Sequence, residues 1–124
     1  HILAASHGLC GDGVLTALQL ATLCHAQDIA LSDWLDRSFK AYPQTLVNVT
    51  VPDRARRKGW SSCMPLQEAV LQAEASMGVA GRVLVRASGT EPVLRVMVEA
   101  EDQSLVDRWT QHLAAMADEH LNAA

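Results

Sequence analysis

Two alternating runs, Arg82–Arg86 and Val93–Glu99, are separated by only the six residues Ala87–Pro92. A link that short joins antiparallel neighbours, because a parallel return needs about a dozen residues or more. Paired symmetrically about the link, Arg86 lies opposite Val93 and Leu84 opposite Arg95. Side chains alternate across a strand, so Val83, Val85, Leu94, Val96 and Val98 share one face, the expected core. Arg86 and Arg95 share the other face with Leu84 and Met97. The hairpin thus brings two guanidinium groups to the flanks of a tip that contains Ser88, Gly89 and Thr90.

Periodicity and caps supply the remaining elements. Gly11 to about His25 reads as a helix, with Asp12 as N-cap and Val14, Leu15, Leu18, Ala21 and Leu23 on its apolar side. A second helix is expected from Ser32 to Ala41, capped by Ser32, with Asp33 and Asp36 near its positive end and Pro43 beyond its stop. Val47, Val49 and Val51 alternate with Leu46, Asn48 and Thr50, which predicts a strand over Thr45–Val51, closed by Pro52. Residues 53–63, DRARRKGWSSC, are polar and aperiodic and read as a loop. Pro65 opens a helix whose buried stripe is Leu66, Ala69, Val70, Ala73 and Met77, with Gly78 as C-cap. A last helix runs from about Asp102 to His120, with Leu105, Val106, Trp109, Leu113, Met116 and Ala117 at three- and four-residue steps.

From Thr45 onward the order is β-α-β-β-α. The expected fold class is α+β, a small antiparallel or mixed sheet with helices on one face, preceded by a helical segment. The chain divides at the Ala41–Pro43 segment into residues 1–41 and 42–124. That segment and the charged turn at 53–59 are the expected hinges. Apolar residues in 1–41 are expected to lack cover within this chain.

With 124 residues, 49% of them hydrophobic and 19% charged, the chain can bury a core without staples. Its net charge of −4 argues against a general nucleic-acid binder or an acidic-membrane binder. Cys10, Cys24 and Cys63 are odd in number and form no CxxC, which points to a reducing compartment such as the cytoplasm. No apolar run reaches the length of a membrane span. The opening HILAASHG has no basic region and no initiator Met, so the chain is expected to be cut from a longer one. His1, His7, Cys10 and Asp12 are metal-ligand types, but their spacing fits no standard zinc pattern, and Asp12 is better used as a cap. The run Arg54, Arg56, Arg57, Lys58 reads as a solvated loop, with a lesser reading as a basic lip that attracts phosphates. Asn48-Val-Thr50 is a glycosylation sequon by chance. Trp34 and Trp109 fall on apolar helix faces and pack.

The tip of the hairpin is where chemistry concentrates. Arg86 and Arg95 offer forked donors for phosphate oxygens, and Ser88 and Thr90 add hydroxyl donors. Gly89 lets the backbone turn so that successive N–H groups converge on an anion. Glu91, beside two arginines, reads as a carboxylate that orders the loop. The same letters also suit a plain polar hairpin tip, and composition alone does not choose between the two readings.

Arg86-Ala-Ser-Gly-Thr-Glu-Pro92 followed by Val-Leu-Arg-Val-Met-Val-Glu99 resembles the phosphate-binding loop of the α-D-phosphohexomutase family. Gly11-Asp-Gly-Val-Leu-Thr-Ala-Leu-Gln19 resembles that family's GDG helix, and Tyr42-Pro-Gln-Thr-Leu-Val-Asn-Val49 the start of its fourth domain. One departure is Ala87, where many members carry Pro. The resemblance implies a four-domain parent enzyme that interconverts the 1- and 6-phosphates of a hexose or hexosamine through a phosphoserine and a Mg²⁺ held by an Asp-rich loop. It places 1–41 at the end of the third domain and 42–124 as the fourth. Neither the phosphoserine segment, the Asp-rich loop nor the sugar-reading Glu-x-Ser-Gly motif occurs in this sequence. No catalytic residue or metal ligand is therefore expected here, and the substrate's identity stays open among hexose phosphates. The carry-over assigns Arg86, Ser88, Gly89 and Thr90 to the substrate's non-reacting phosphate, with Arg95 as a helper. The implied partners are a hexosamine phosphate and the remaining domains of the parent. A non-catalytic phosphate-binding module is the alternative.

Overall fold

The computed structural model describes residue 6, residue 8 and residues 10–123. They fall into two compact units, 1–41 and 42–124. The first holds helices α1 (Gly13–Gln27) and α2 (Leu31–Ser38). The Asp12 carboxylate accepts the Leu15 N–H at 2.9 Å, the cap that the sequence predicts. Asp28 takes a left-handed φ of 49° and reverses the chain, so α2 begins at Leu31 behind Ala30, with no side-chain cap at Ser32. It also ends early. The Ser38 hydroxyl bonds back to the Leu35 carbonyl, and Phe39 is already extended. Neither helix buries a residue, and Val14, Leu18, Leu31, Leu35 and Phe39 are all exposed.

The second unit runs β1 (Gln44–Thr50), α3 (Arg54–Lys58), a 3₁₀ turn (Trp60–Ser62), α4 (Met64–Met77), a second 3₁₀ turn (Gly78–Ala80), β2 (Gly81–Ala87), β3 (Val93–Ala100) and α5 (Gln103–Asn122). The strands are antiparallel in the order β1-β3-β2, so β3 is central. Val49, Val85, Leu94, Val96 and Val98 pack with Leu66, Ala69, Ala73 and Met77 of α4 and with Val106, Trp109 and Leu113 of α5 in one core. The α+β class with helices on one face is the one that the alternation predicts. On the other face Leu46, Met97 and Leu84 line up across the three strands.

Two expectations need correction. Residues 53–63 are not an irregular loop. Asp53 accepts the N–H groups of Ala55 at 2.7 Å and Arg56 at 3.0 Å, which caps α3, and Gly59 N–H closes onto the Ala55 carbonyl at 2.8 Å. Arg54, Arg56 and Lys58 are exposed as the solvated reading expects, but Arg57 is only 7% exposed and departs from it. The element has no apolar period because its inward residue is an arginine.

The hairpin register also differs from the symmetric one. Arg86 stands opposite Arg95 and Leu84 opposite Met97. β2 continues to Ala87, which packs opposite the fully buried Leu94, and Ser88 N–H then bonds the Val93 carbonyl at 2.9 Å. The shift is by two residues, so every side chain keeps the face that the sequence assigns it.

Two glycines are required by geometry. Gly78 ends α4 at φ +56°, where a side chain is strained. At Gly81 a Cβ would lie 2.7 Å from the Met77 Cβ and 2.9 Å from the Glu99 carbonyl oxygen. Gly81→Ala is expected to cost about 1–3 kcal/mol in urea unfolding, as overpacking does. Backbone N–H groups hold the Asp53 and Asp102 carboxyls below the ordinary aspartate range, Arg56 and Ala55 at the first and Ser104 at the second. Each therefore lends stability that is complete above the unfolded aspartate value, about 3.9, and is lost as pH falls through the lower folded value. Asp53→Asn and Asp102→Asn are each expected to flatten the acid limb of a stability-against-pH curve.

Candidate phosphate-binding site

Alternation along β2 and β3 places Arg86 and Arg95 on the face that the helices leave open, and the register sets them directly across from one another. Like charges so placed repel unless something negative joins them. One carboxylate does so: Arg95 Nη2 donates to Glu91 Oε2 at 2.8 Å. Arg86 is exposed and has no hydrogen-bond or ion-pair partner among the described residues. The site therefore holds one committed and one uncommitted guanidinium.

The reversal between them is ordered by its own groups. Ser88 Oγ accepts the Glu91 N–H at 3.2 Å. Ser88 is half-buried, whereas Gly89, Thr90 and Glu91 are exposed. Glu91 thus orders the loop twice, through its backbone and through its side chain, as its place beside two arginines suggests. The φ of Gly89 lies outside the left-handed region. A Cβ on Gly89 would meet nothing within 4 Å, so the fold does not demand a glycine at this position.

Asn48, to which the sequence assigns no site role, stands opposite Arg95 on β1 and completes the row Asn48–Arg95–Arg86 across the sheet. Its outward place in the β1 alternation was visible, but its neighbours depend on β3 being central. The basic run of α3 is divided. Arg57 is buried, Arg56 donates to the Ala123 carbonyl, and Arg54 and Lys58 are exposed. Trp109 is buried in the core and Trp60 is half-buried against it. In the other unit Trp34 lines a small cavity with Leu20, Leu31 and Leu35. A groove of about 530 Å³ lies between Pro52, Asp53, Arg56 and the end of α5, and no residue of the 86–95 hairpin lines it.

Among the described residues no three His, Cys, Asp or Glu side chains converge. His1 and His7 lie outside the described residues, Asp12 caps α1, and Glu91 is committed to Arg95. These side chains do not fit a Mg²⁺ site. Cys10, Cys24 and Cys63 are free thiols. No single described helix is long and apolar enough to cross a membrane.

Residues 46–116, which contain the loop and both arginines, match the sequence pattern of the phosphoglucomutase/phosphomannomutase C-terminal domain. The chain belongs to this family. All 124 residues align at 97% identity with the phosphoglucosamine mutase of Parasynechococcus marenigrum (strain WH8102), and at 73% with that of Synechococcus sp. (strain CC9902). The chain spans 27% of the length of each of these relatives. Among solved structures, it is similar to the Aspergillus fumigatus N-acetylphosphoglucosamine mutase in complex with GlcNAc-6P and magnesium. That match has a TM-score of 0.74 and 25% identity, over 90% of this chain and 22% of that one. It is also similar to an N-acetylglucosamine-phosphate mutase of the α-D-phosphohexomutase superfamily in its substrate complex, with a TM-score of 0.70 and 30% identity over 86% of this chain and 21% of that one.

Within this phosphohexomutase domain, the loop carries little of the fold's stability. Gly89→Ala, and Glu91→Gln at the exposed ion pair, are each expected to change unfolding free energy by about 0.5 kcal/mol or less. Urea denaturation monitored by circular dichroism measures both.

Proposed function

We propose that the chain is the phosphate-holding part of a phosphoglucosamine mutase that interconverts glucosamine 6-phosphate and glucosamine 1-phosphate. In this reading residues 42–124 form the fourth domain and 1–41 the end of the third. The observation that carries it is an uncommitted Arg86, set opposite Arg95 beside a loop whose glycine the fold does not require. Arg86 grips the substrate's non-reacting phosphate with a forked pair of N–H groups, and the Thr90 hydroxyl and loop backbone add donors. Open space at Gly89 lets the phosphate approach the main chain. Ser88 keeps the loop in shape, and Arg95, drawn off by Glu91, contributes its charge more than its donors.

The physical role is alignment. Phosphoryl transfer gains much of its rate from positioning and from charge stabilisation. A clamp on the far phosphate holds the sugar while its other end meets the phosphoserine, which belongs to the rest of the enzyme. The same clamp serves either end of the sugar after it reorients. Movement of 42–124 as a body closes the cleft and excludes water from the intermediate. The Mg²⁺ of such an enzyme would be held by residues outside this chain. The 97% identity over all 124 residues with a phosphoglucosamine mutase favours glucosamine phosphate over other hexose phosphates. Free thiols agree with a reducing, cytoplasmic setting.

An NMR titration of this chain with glucosamine 6-phosphate and with inorganic phosphate tests the clamp. Both are expected to shift resonances of residues 86–95, with affinity on the order of millimolar because only one wall of the cleft is present. Arg86→Ala should abolish the shifts while leaving the fold intact. A folded chain that shows no phosphate-dependent shifts at 86–95 rules the reading out.

A further inference from the structure

The β1–β3 register runs one residue beyond its last ladder pair, Thr50 with Val93, to bring Val51 opposite Pro92. In an antiparallel hydrogen-bonded pair the two residues exchange two bonds. Here one is made: Val51 N–H donates to the Pro92 carbonyl at 2.8 Å. The reciprocal bond has no donor, because proline carries no N–H. Val51 is fully buried, so its carbonyl cannot turn to water instead.

A side chain fills the gap. Arg57 Nη1 donates to the Val51 carbonyl at 2.6 Å, with the Pro52 carbonyl further off at 3.5 Å. The guanidinium reaches this spot because α3 is nucleated on Asp53 immediately after Pro52, which brings Arg57 back under the strand end. Burying an arginine is costly, and its Nε remains without a partner. The one strong bond that it makes is the bond that Pro92 cannot.

We infer that Arg57 is a positioning residue of the phosphate loop. From α3 of the same chain it supplies the hydrogen bond missing from Pro92 and so fixes the point where the loop re-enters the sheet. Pro92 follows Glu91, whose carboxylate sets Arg95, and Ser88 pins the opposite root of the loop. With Val51 held on both sides, the loop keeps its form before a phosphate arrives. This rests on the loop being the phosphate clamp, and the test keeps the two ideas apart.

The experiment combines amide hydrogen exchange with titration of inorganic phosphate on the 124-residue chain. Arg57→Met, which keeps an unbranched stem and loses every donor, is expected to cut the protection of the Val51 amide at least severalfold. Phosphate binding should weaken roughly two- to tenfold, the reach of one net hydrogen bond. Val106→Ala, a core change remote from the loop, should lower the melting temperature and leave phosphate binding as it was. Pro92→Ala restores a backbone N–H opposite Val51. Added to Arg57→Met, it should bring Val51 protection and phosphate binding back towards those of Pro92→Ala alone.

A folded Arg57→Met chain with unchanged Val51 protection overturns the inference, as does a double variant with no recovery. If Arg57→Met fails to fold, the double variant decides: recovery of folding supports the role through the Val51 carbonyl, and failure refutes it. If wild-type chain binds no phosphate at 86–95, the clamp reading falls, while the exchange arm still decides whether Arg57 acts through Val51.

Discussion

Burial of Leu94, Val96 and Val98 beneath α4 and α5 forces the residues between them, Arg95, Met97 and Glu99, onto the opposite face of the central strand. Both outer strands take their facing from β3, so one packing requirement distributes every functional side chain of the sheet. Arg86 is held outward because Val85 must go inward. Asn48 points with the arginines because Val49 is part of the core. The candidate site is in this sense the reverse side of the hydrophobic core, and its geometry is as firm as that core.

The parts of this arrangement that depend on sequence-local chemistry were legible without coordinates. The helix cap at Asp12, the glycine stop at Gly78 and the two-residue alternation each involve residues within one element. The facing of the hairpin survived a two-residue difference in register because alternation is blind to even shifts. What escaped the sequence were non-local facts. Nothing in DRARRKGWSSC announces that its adjacent pair, Arg56 and Arg57, is split between the end of α5 and a buried carbonyl, because the partners, Ala123 and Val51, are not periodic neighbours. The neighbours of Asn48 require the strand order. At Gly89 a glycine suggests a special turn, and the φ there is not positive.

The loop also shows how a site can be charged without being strained. Two arginines face each other, and Glu91 lowers the cost by engaging Arg95. Such an exposed pair adds little to stability, but it leaves the two guanidinium groups unequal, with the donors of Arg86 uncommitted. In the proposed reading, a phosphate meets one guanidinium whose donors are already free.

The order β1-β3-β2 leaves β2 at an edge among the described residues, where Val83 and Val85 turn their backbone N–H and C=O groups away from β3. A short β-branched and aliphatic stretch of this kind is a template for self-association into intermolecular sheets. Arg82 and Arg86 bracket it, in the manner of the gatekeeper charges that flank unavoidable apolar strands. Under the proposed function Arg86 would serve two ends at once, ligand capture and colloidal behaviour, and its replacement would remove a guard against aggregation together with the proposed ligand contact.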